Sequence, residues 1–281
     1  MKTLGWLRAA ALVGLIALST SFAAACNDKE AASPVATSAA AEPTSEPVDP
    51  IATPEPTSTA VPAFDGQPSA DCDVSALEVR RANTERQAVA LTFDAGSDAG
   101  YTTQILQTLR EKNVKAAFGL TGQWASEHPD LVRAMVADGH ILINHTQDHL
   151  SFTGLSSGTG PLSQAERFDQ LQQAEAVIKS IAGVGTRPYF RPPFGDVDGS
   201  VLCDAYAAGY RYVILWTVDT LGWNHVTVDE IVATSLSKVR PGAIYIMHVG
   251  SQSQDGPALS QVIDGLRAAG YDIVPLDTLL P

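Results

Sequence analysis

Short apolar runs alternate with longer amphipathic stretches over residues 71–281. The short runs, bounded by turn residues, predict buried strands at 88–93, 115–120, 140–144, 188–191, 210–217, 243–248 and 272–275. The longer stretches have helical spacing, and they predict helices at 102–112, 129–137, 163–181, 199–208, 228–238 and 259–268. Strict alternation of strands and helices predicts a mainly parallel sheet covered by helices. The expected fold is therefore α/β, a distorted (β/α) barrel of about seven parallel strands, with an open doubly wound sheet as the alternative.

The first 25 residues have the layout of a secretory signal peptide. Lys2 and Arg8 precede a short apolar run, and small residues end the segment at Ala25. The apolar run is shorter than the roughly 20 residues that a membrane-spanning helix needs. Cys26 follows directly, and residues 1–26 resemble a bacterial lipoprotein signal, in which such a cysteine carries the lipid. The alternative is an ordinary signal peptide and a secreted protein.

Residues 26–70 differ in composition from residues 71–281. Ala, Pro, Ser and Thr make up 28 of the 44 residues from 27 to 70, too polar and too simple a mixture to form a core. We expect a disordered tether that joins a membrane anchor at Cys26 to a catalytic domain at 71–281. The protein is then extracytoplasmic, and we expect it to be a monomer that touches the membrane only through its lipid.

The net charge excludes one class of partner. The chain carries a formal charge of −13, and removal of Lys2 and Arg8 makes the mature protein more acidic. Nucleic-acid binding depends on many Lys and Arg contacts with phosphate, so no nucleic-acid partner is expected. A largely uncharged sugar polymer is compatible with this charge.

Cys72 and Cys203 remain once Cys26 is assigned to the lipid. Outside the cytoplasm two remaining cysteines often pair, so we expect a disulfide, with two separate thiols as the alternative.

Polar residues collect at or just after the ends of the predicted strands. In parallel α/β folds these ends face one opening, where binding sites form. Each residue alone has a simpler explanation, such as a helix cap for Asp94 or a core histidine for His248. Together they predict one site drawn from five segments, which contribute Asp94, His145 with His149, Arg191, Asp219 with Trp223, and His248.

His145 and His149 have a spacing that lets two imidazoles face one metal ion. The pattern alone is weak, but the pair follows a strand that ends beside Asp94. Zinc is the first expectation for two imidazoles and an oxygen ligand, and cobalt or nickel is possible.

These segments resemble the motifs of the polysaccharide deacetylase family, carbohydrate esterase family 4. The resemblance covers residues 86–280, and its elements occur in the family's order at 92–96, 145–149, 191–195, 219–223 and 246–248. It implies a distorted (β/α) barrel and a metal-dependent hydrolase that removes N-acetyl groups from peptidoglycan or a chitin-like polymer.

The resemblance also implies a role for each residue. Asp94 would be the general base, with Arg191 paired to it, and His248 the general acid, with Asp219 nearby to keep it charged. Phe194, Trp223 and Ile246 would form the apolar walls that receive the acetyl group and the sugar, and a backbone N–H near Phe194 would help to hold the oxyanion.

One position departs from the family pattern. The family's second aspartate, a metal ligand, is Ala95 in this chain. Asp98 is close enough in sequence to replace it, and a water molecule is the other possibility. Three alternative functions stay open: an O-acetyl xylan-type esterase that uses the same site, a glycan-binding pseudoenzyme that has lost its metal through Ala95, and a metal-independent amidase on the same fold.

Overall fold

The computed structural model describes residues 72–280. The predictions of a signal peptide at 1–25, a tether at 26–70 and a lipid on Cys26 lie outside these residues. The described strands are β1 (Leu77–Val79), β2 (Ala88–Ala95), β3 (Ala117–Leu120), β4 (Ile141–Asn144), β5 (Tyr189–Phe190), β6 (Tyr212–Ile214), β7 (Val218–Asp219), β8 (Ile244–His248) and β9 (Asp272–Ile273). The helices are α1 (Thr102–Glu111), α2 (Gly122–Glu127), α3 (Pro129–Ala137), α4 (Gln164–Ala182), α5 (Gly199–Ala207), α6 (Val228–Ser237) and α7 (Asp255–Ala268).

All paired strands of the sheet run parallel, as the alternation predicted. Eight strands follow one another in the order β1-β6-β5-β4-β3-β2-β8-β7, and β9 pairs separately with β2. Among the described strands no ladder joins β1 to β7, so the sheet curls towards a barrel without closing by hydrogen bonds. The predicted α/β class is confirmed, and the curled parallel sheet is consistent with the expected distorted barrel.

The predicted count of seven strands is too low. The run at 210–217 forms one strand only as far as Ile214, and β7 follows as a separate strand. The strand β1 was not predicted, because only three residues pair there and one of them, Leu77, is exposed. The helix α2 was also missed. Thr121 caps its start at Gly122, and the Thr121 side chain accepts a hydrogen bond from the backbone N–H of Trp124.

The central strand β2 fixes where the chemistry of the chain lies. All eight of its residues are buried, as expected for a strand covered on both faces. In its register Asp94 lies beside Gly119 of β3 and His248 of β8. A Cβ at Gly119 would lie 2.4 Å from the Asp94 carboxylate, so a glycine is needed there for the carboxylate to keep its position. The sheet therefore places Asp94 and His248 side by side at one edge.

The N-terminal end of the described region is joined covalently to α5. Cys72 and Cys203 form a disulfide with a Cα–Cα distance of 5.7 Å, which confirms the predicted pairing. A loop of 131 residues closed in this way reduces the freedom of the unfolded chain, which in the chain-entropy model stabilises the fold by about 4–5 kcal/mol. None of the helices between residues 72 and 280 is both long and apolar enough to cross a membrane.

Candidate active site

A cavity of about 610 Å³ opens at the carboxyl ends of the strands. Eight of the ten site residues predicted from the sequence line it: Asp94, His145, His149, Phe194, Asp219, Trp223, Ile246 and His248. Arg191 lies behind the cavity wall, and Asp98 does not line the cavity. The structure thus brings together segments that are far apart in the sequence.

Asp94 is held in place by Arg191, which is completely buried. The Nη1 atom of Arg191 donates to Asp94 Oδ1 at 2.8 Å, Nη2 donates to Thr92 Oγ1 at 2.8 Å, and Nε donates to the carbonyl oxygen of Ile214 at 2.9 Å. Burial alone would raise the pKa of Asp94, but the charge of Arg191, with a smaller contribution from His248, lowers it below its usual value. The carboxylate is therefore ionised and able to accept a proton.

His145 and His149 present two neutral imidazoles to the cavity. Their ring centroids are 4.8 Å apart. The Nδ1 atom of His145 lies 2.8 Å from the carbonyl oxygen of Arg191, and since a carbonyl only accepts, this nitrogen carries the proton. Burial lowers the pKa of both residues, that of His149 to about 4, so neither is charged near neutral pH.

The two histidines fit a divalent metal ion. The proton on Nδ1 of His145 leaves the lone pair on Nε2, which faces Asp94 Oδ2 at 3.5 Å, so that two electron-pair donors oppose each other. A hydrogen bond from the far nitrogen to a carbonyl is the usual support of a metal-binding histidine. Within residues 72–280, however, no three His, Cys, Asp or Glu side chains form a complete ligand set.

The carboxylate of Asp98, the expected third ligand, is hydrogen-bonded to Ser251. Its Oδ1 accepts the backbone N–H of Ser251 at 2.7 Å, and its Oδ2 accepts the Ser251 hydroxyl at 2.6 Å. Its carbonyl oxygen accepts the indole N–H of Trp124. Ala95 is fully buried among core residues and has no donor atom. The structure therefore does not bring Asp98 together with His145 and His149.

His248 lies on the side of the cavity that β8 forms, next to Asp94. Burial lowers the pKa of His248, but Asp255, Asp94 and Asp219 outweigh this effect and raise it. Asp255, which was not predicted from the sequence, approaches His248 at two atoms: its Oδ2 accepts the backbone N–H of His248 at 2.8 Å and lies 3.9 Å from Nδ1. Asp219 instead accepts the backbone N–H of Leu221 at 2.8 Å and the indole N–H of Trp223 at 3.4 Å.

Aromatic and aliphatic side chains form the walls of the cavity. Phe194 and Trp223 are each about half exposed, whereas Ile246 is almost fully buried at the base. Phe194 has a φ of 62°, in the left-handed region, and its ring lies 4.8 Å from that of His149. Trp216, which was hidden inside a predicted strand, also lines the cavity and lies against the guanidinium of Arg191. These surfaces suit the apolar face of a sugar and an acetyl methyl group.

Comparison with protein families and curated proteins finds polysaccharide deacetylases among the matches. A family model described as polysaccharide deacetylase matches residues 81–213. The chain is 30% identical over 194 residues to a peptidoglycan-N-acetylglucosamine deacetylase of Bacillus cereus, with 68% of this chain and 67% of that protein covered. It is 32% identical over 206 residues to a chitooligosaccharide deacetylase of Bradyrhizobium, with 69% of this chain and 90% of that protein covered.

Solved structures of the same family are also similar to this chain. A pseudoenzyme of carbohydrate esterase family 4 from Bacillus anthracis matches with a TM-score of 0.67 and 29% identity over 74% of this chain and 70% of that one. A mutant of that pseudoenzyme with restored enzymatic activity matches with the same TM-score and 30% identity, covering 74% of this chain and 73% of that one.

Proposed function

The chain belongs to the polysaccharide deacetylase family, and from this premise we propose that it is a metal-dependent hydrolase that removes N-acetyl groups from a cell-wall polysaccharide. The substrate would be peptidoglycan or a chitin-like polymer of N-acetylglucosamine, the substrates named for its relatives. The observation that carries the proposal is the arrangement of an ionised Asp94, two neutral histidines and a histidine of raised pKa around one cavity.

We assign the metal to His145 and His149. A divalent ion, with zinc as the first expectation and cobalt or nickel as alternatives, would supply Lewis-acid chemistry for the acetyl carbonyl and for water. Because the Asp98 carboxylate is hydrogen-bonded to Ser251, water is the better candidate for the third ligand. Two protein ligands and a water should bind the ion more weakly than three protein ligands would.

The protein's own groups can carry out both proton transfers of the reaction. Asp94, kept ionised by Arg191, takes a proton from the attacking water as general base. His248, whose pKa is raised, gives a proton to the leaving amine as general acid, since an amine leaves poorly without one. We propose that a backbone N–H at Phe194 helps to hold the oxyanion, and that Phe194, Trp223 and Ile246 hold the sugar and the acetyl methyl group.

The proposal is tested by acetate release from purified peptidoglycan and from N-acetylglucosamine oligomers, with and without a chelator and added zinc. His145→Asn is compared with His225→Asn, a matched change at an exposed histidine that does not line the cavity. We expect metal-dependent release that His145→Asn abolishes and His225→Asn retains. No release from either substrate by a folded, zinc-loaded protein would contradict the proposal, and release from acetylated xylan alone would favour the esterase.

A second function is favoured by one specific observation. Ala95 and the engaged Asp98 leave the metal with two protein ligands in the described region, and one similar structure is that of a pseudoenzyme. A glycan-binding pseudoenzyme would purify without metal and stay inactive after reconstitution. Measurement of metal per chain, alongside glycan binding, separates this function from catalysis.

We also propose that the enzyme works outside the cytoplasm. A lipid on Cys26 would anchor it to the bacterial membrane, and the tether at 26–70 would let the catalytic domain at 71–281, as a monomer, reach the wall. The wild-type protein should incorporate a labelled fatty acid and Cys26→Ser should not, whereas a wild-type protein that takes up no label would contradict the anchor.

A further inference from the structure

Asp255 is a fully buried carboxylate directly behind the cavity. It is the first residue of α7 and accepts hydrogen bonds from three different residues. Oδ2 accepts the backbone N–H of His248 and the hydroxyl of Ser253, both at 2.8 Å, and Oδ1 accepts the hydroxyl of Thr220 at 2.7 Å. Asp255 thus ties together the segment before Trp223, the end of β8 and the start of α7.

The surroundings leave this carboxylate little freedom. A Cβ at Gly222 would lie 2.4 Å from Asp255 Oδ2, so only a glycine fits against it. Buried polar atoms normally have hydrogen-bond partners, and Asp255 has three. Its position is therefore fixed more tightly than that of an exposed carboxylate.

The ring of His248 is oriented with one nitrogen towards Asp255. Its Nδ1 atom is buried, has no hydrogen-bond partner and lies 3.9 Å from Asp255 Oδ2. The His248 side chain is nevertheless 29% exposed, and because Nδ1 is buried, the exposed edge is the one that carries Nε2. A carboxylate oxygen beside Nδ1 favours a proton on that nitrogen, because two lone pairs would otherwise face each other.

Building on the proposed function, we propose that Asp255 is the positioning residue of His248 in this chain. It holds the ring through the backbone of the same residue and keeps a proton on Nδ1. The Nε2 proton then passes to the nitrogen of the leaving amine as the C–N bond breaks, and the neutral ring that remains keeps its Nδ1 proton towards Asp255. Asp219, in contrast, supports the turn that carries Trp223.

The requirement for a general acid gives a test that separates positioning from a structural role. A sugar amine needs a proton to leave, whereas the 4-nitrophenolate of 4-nitrophenyl acetate does not. Asp255→Asn removes the charge and keeps the shape, and the hydroxyls of Ser253 and Thr220 can turn to suit an amide. The matched control is Asp219→Asn, the same change at another of the three carboxylates that raise the pKa of His248.

We expect Asp255→Asn to lower kcat for acetate release from N-acetylglucosamine oligomers roughly 10- to 100-fold, a part of the 10²–10⁴-fold that a general acid contributes. KM should stay within about twofold, and hydrolysis of 4-nitrophenyl acetate within about threefold. Asp219→Asn should mainly raise KM, because it loosens Trp223. If Asp255→Asn fails to fold, Thr220→Val takes its place, because it removes one of the three hydrogen bonds to Asp255. It should lower kcat for the oligomers by a smaller factor and again leave hydrolysis of 4-nitrophenyl acetate nearly unchanged.

Two outcomes would overturn the inference alone: an equal loss on both substrates in a folded variant, or no loss on either. A wild-type protein that releases no acetate from any glycan would overturn the proposed function and this inference with it. The comparison of wild type and variant therefore distinguishes the two failures.

Discussion

Replacement of Arg191 by methionine should destabilise the protein strongly, because it leaves a buried carboxylate without its partner. Arg191 is 0% exposed and Asp94 is 7% exposed. The methionine fills most of the space but removes all three hydrogen bonds of the guanidinium, those to Asp94, Thr92 and Ile214. Breaking a buried pair from one side costs about 3–5 kcal/mol.

The measurement is urea unfolding followed by tryptophan fluorescence. With a denaturant slope of roughly 2–3 kcal/mol per molar, this loss should lower the midpoint by about 1–2 M. Arg110→Met is the matched control. Its Nε is 2.7 Å from Asp138 Oδ2, a distance similar to that of the buried pair, but the Arg110 side chain is 51% exposed, so about 0–1 kcal/mol is expected.

A double variant isolates the reason for the effect. Asp94→Asn in the Arg191→Met background removes the charge that was left without a partner, so the double variant should be more stable than Arg191→Met by at least about 1 kcal/mol. Equal losses in Arg191→Met and Arg110→Met would refute the reasoning, and so would a double variant no more stable than Arg191→Met.

Three further predictions concern acid stability, metal binding and substrate binding. Burial lowers the pKa of His140 to about 4, below its unfolded value of 6.5, so stability should fall as pH decreases from about 6.5 to 4, by up to about 3 kcal/mol. Protonation would also break the bond that its Nδ1 accepts from the Ala116 N–H; His140→Asn should flatten the fall, and an unchanged slope would contradict this assignment. Asp98→Asn should leave the metal content per chain unchanged, because the Asp98 carboxylate is hydrogen-bonded to Ser251. Loss of metal would show that Asp98 is a ligand after all. Trp223→Ala should raise KM for N-acetylglucosamine oligomers about tenfold with kcat within about twofold, and an unchanged KM would exclude Trp223 from the sugar site.

The fold was predictable where local pattern and tertiary structure agree. The strands β2, β3, β4 and β8 are short apolar runs that are buried on nearly every residue. Such runs are typical of strands in the interior of a parallel sheet, so their sequence pattern was enough to predict them. The strand β1 depends on its pairing with β6, a contact between residues about 135 apart that no local pattern reveals. The break between β6 and β7 was missed because it lies inside one apolar run, and local pattern does not reveal where the strand pairing ends.

The candidate site was predictable to the extent that its residues lie at strand ends. Asp94, His145 and His248 are placed by the sheet itself. Asp255 was missed because it lies before the helix predicted at 259–268, and its approach to His248 depends on how the loop between β8 and α7 folds back. The prediction that Asp98 is a ligand rested on its closeness in sequence to Asp94, whereas in the structure the loop turns its carboxylate towards Ser251.

The disulfide between Cys72 and Cys203 also determines how the domain would respond to a mechanical pull on its N-terminal end. Without it, tension would act on β1, a three-residue strand at the edge of the sheet, and would peel it from β6 one hydrogen bond at a time. With it, the load passes at Cys72 into α5 before it reaches β1. A pull at this end would then be resisted first by the disulfide and by the packing of α5, and the pairing of β1 with β6 would be spared.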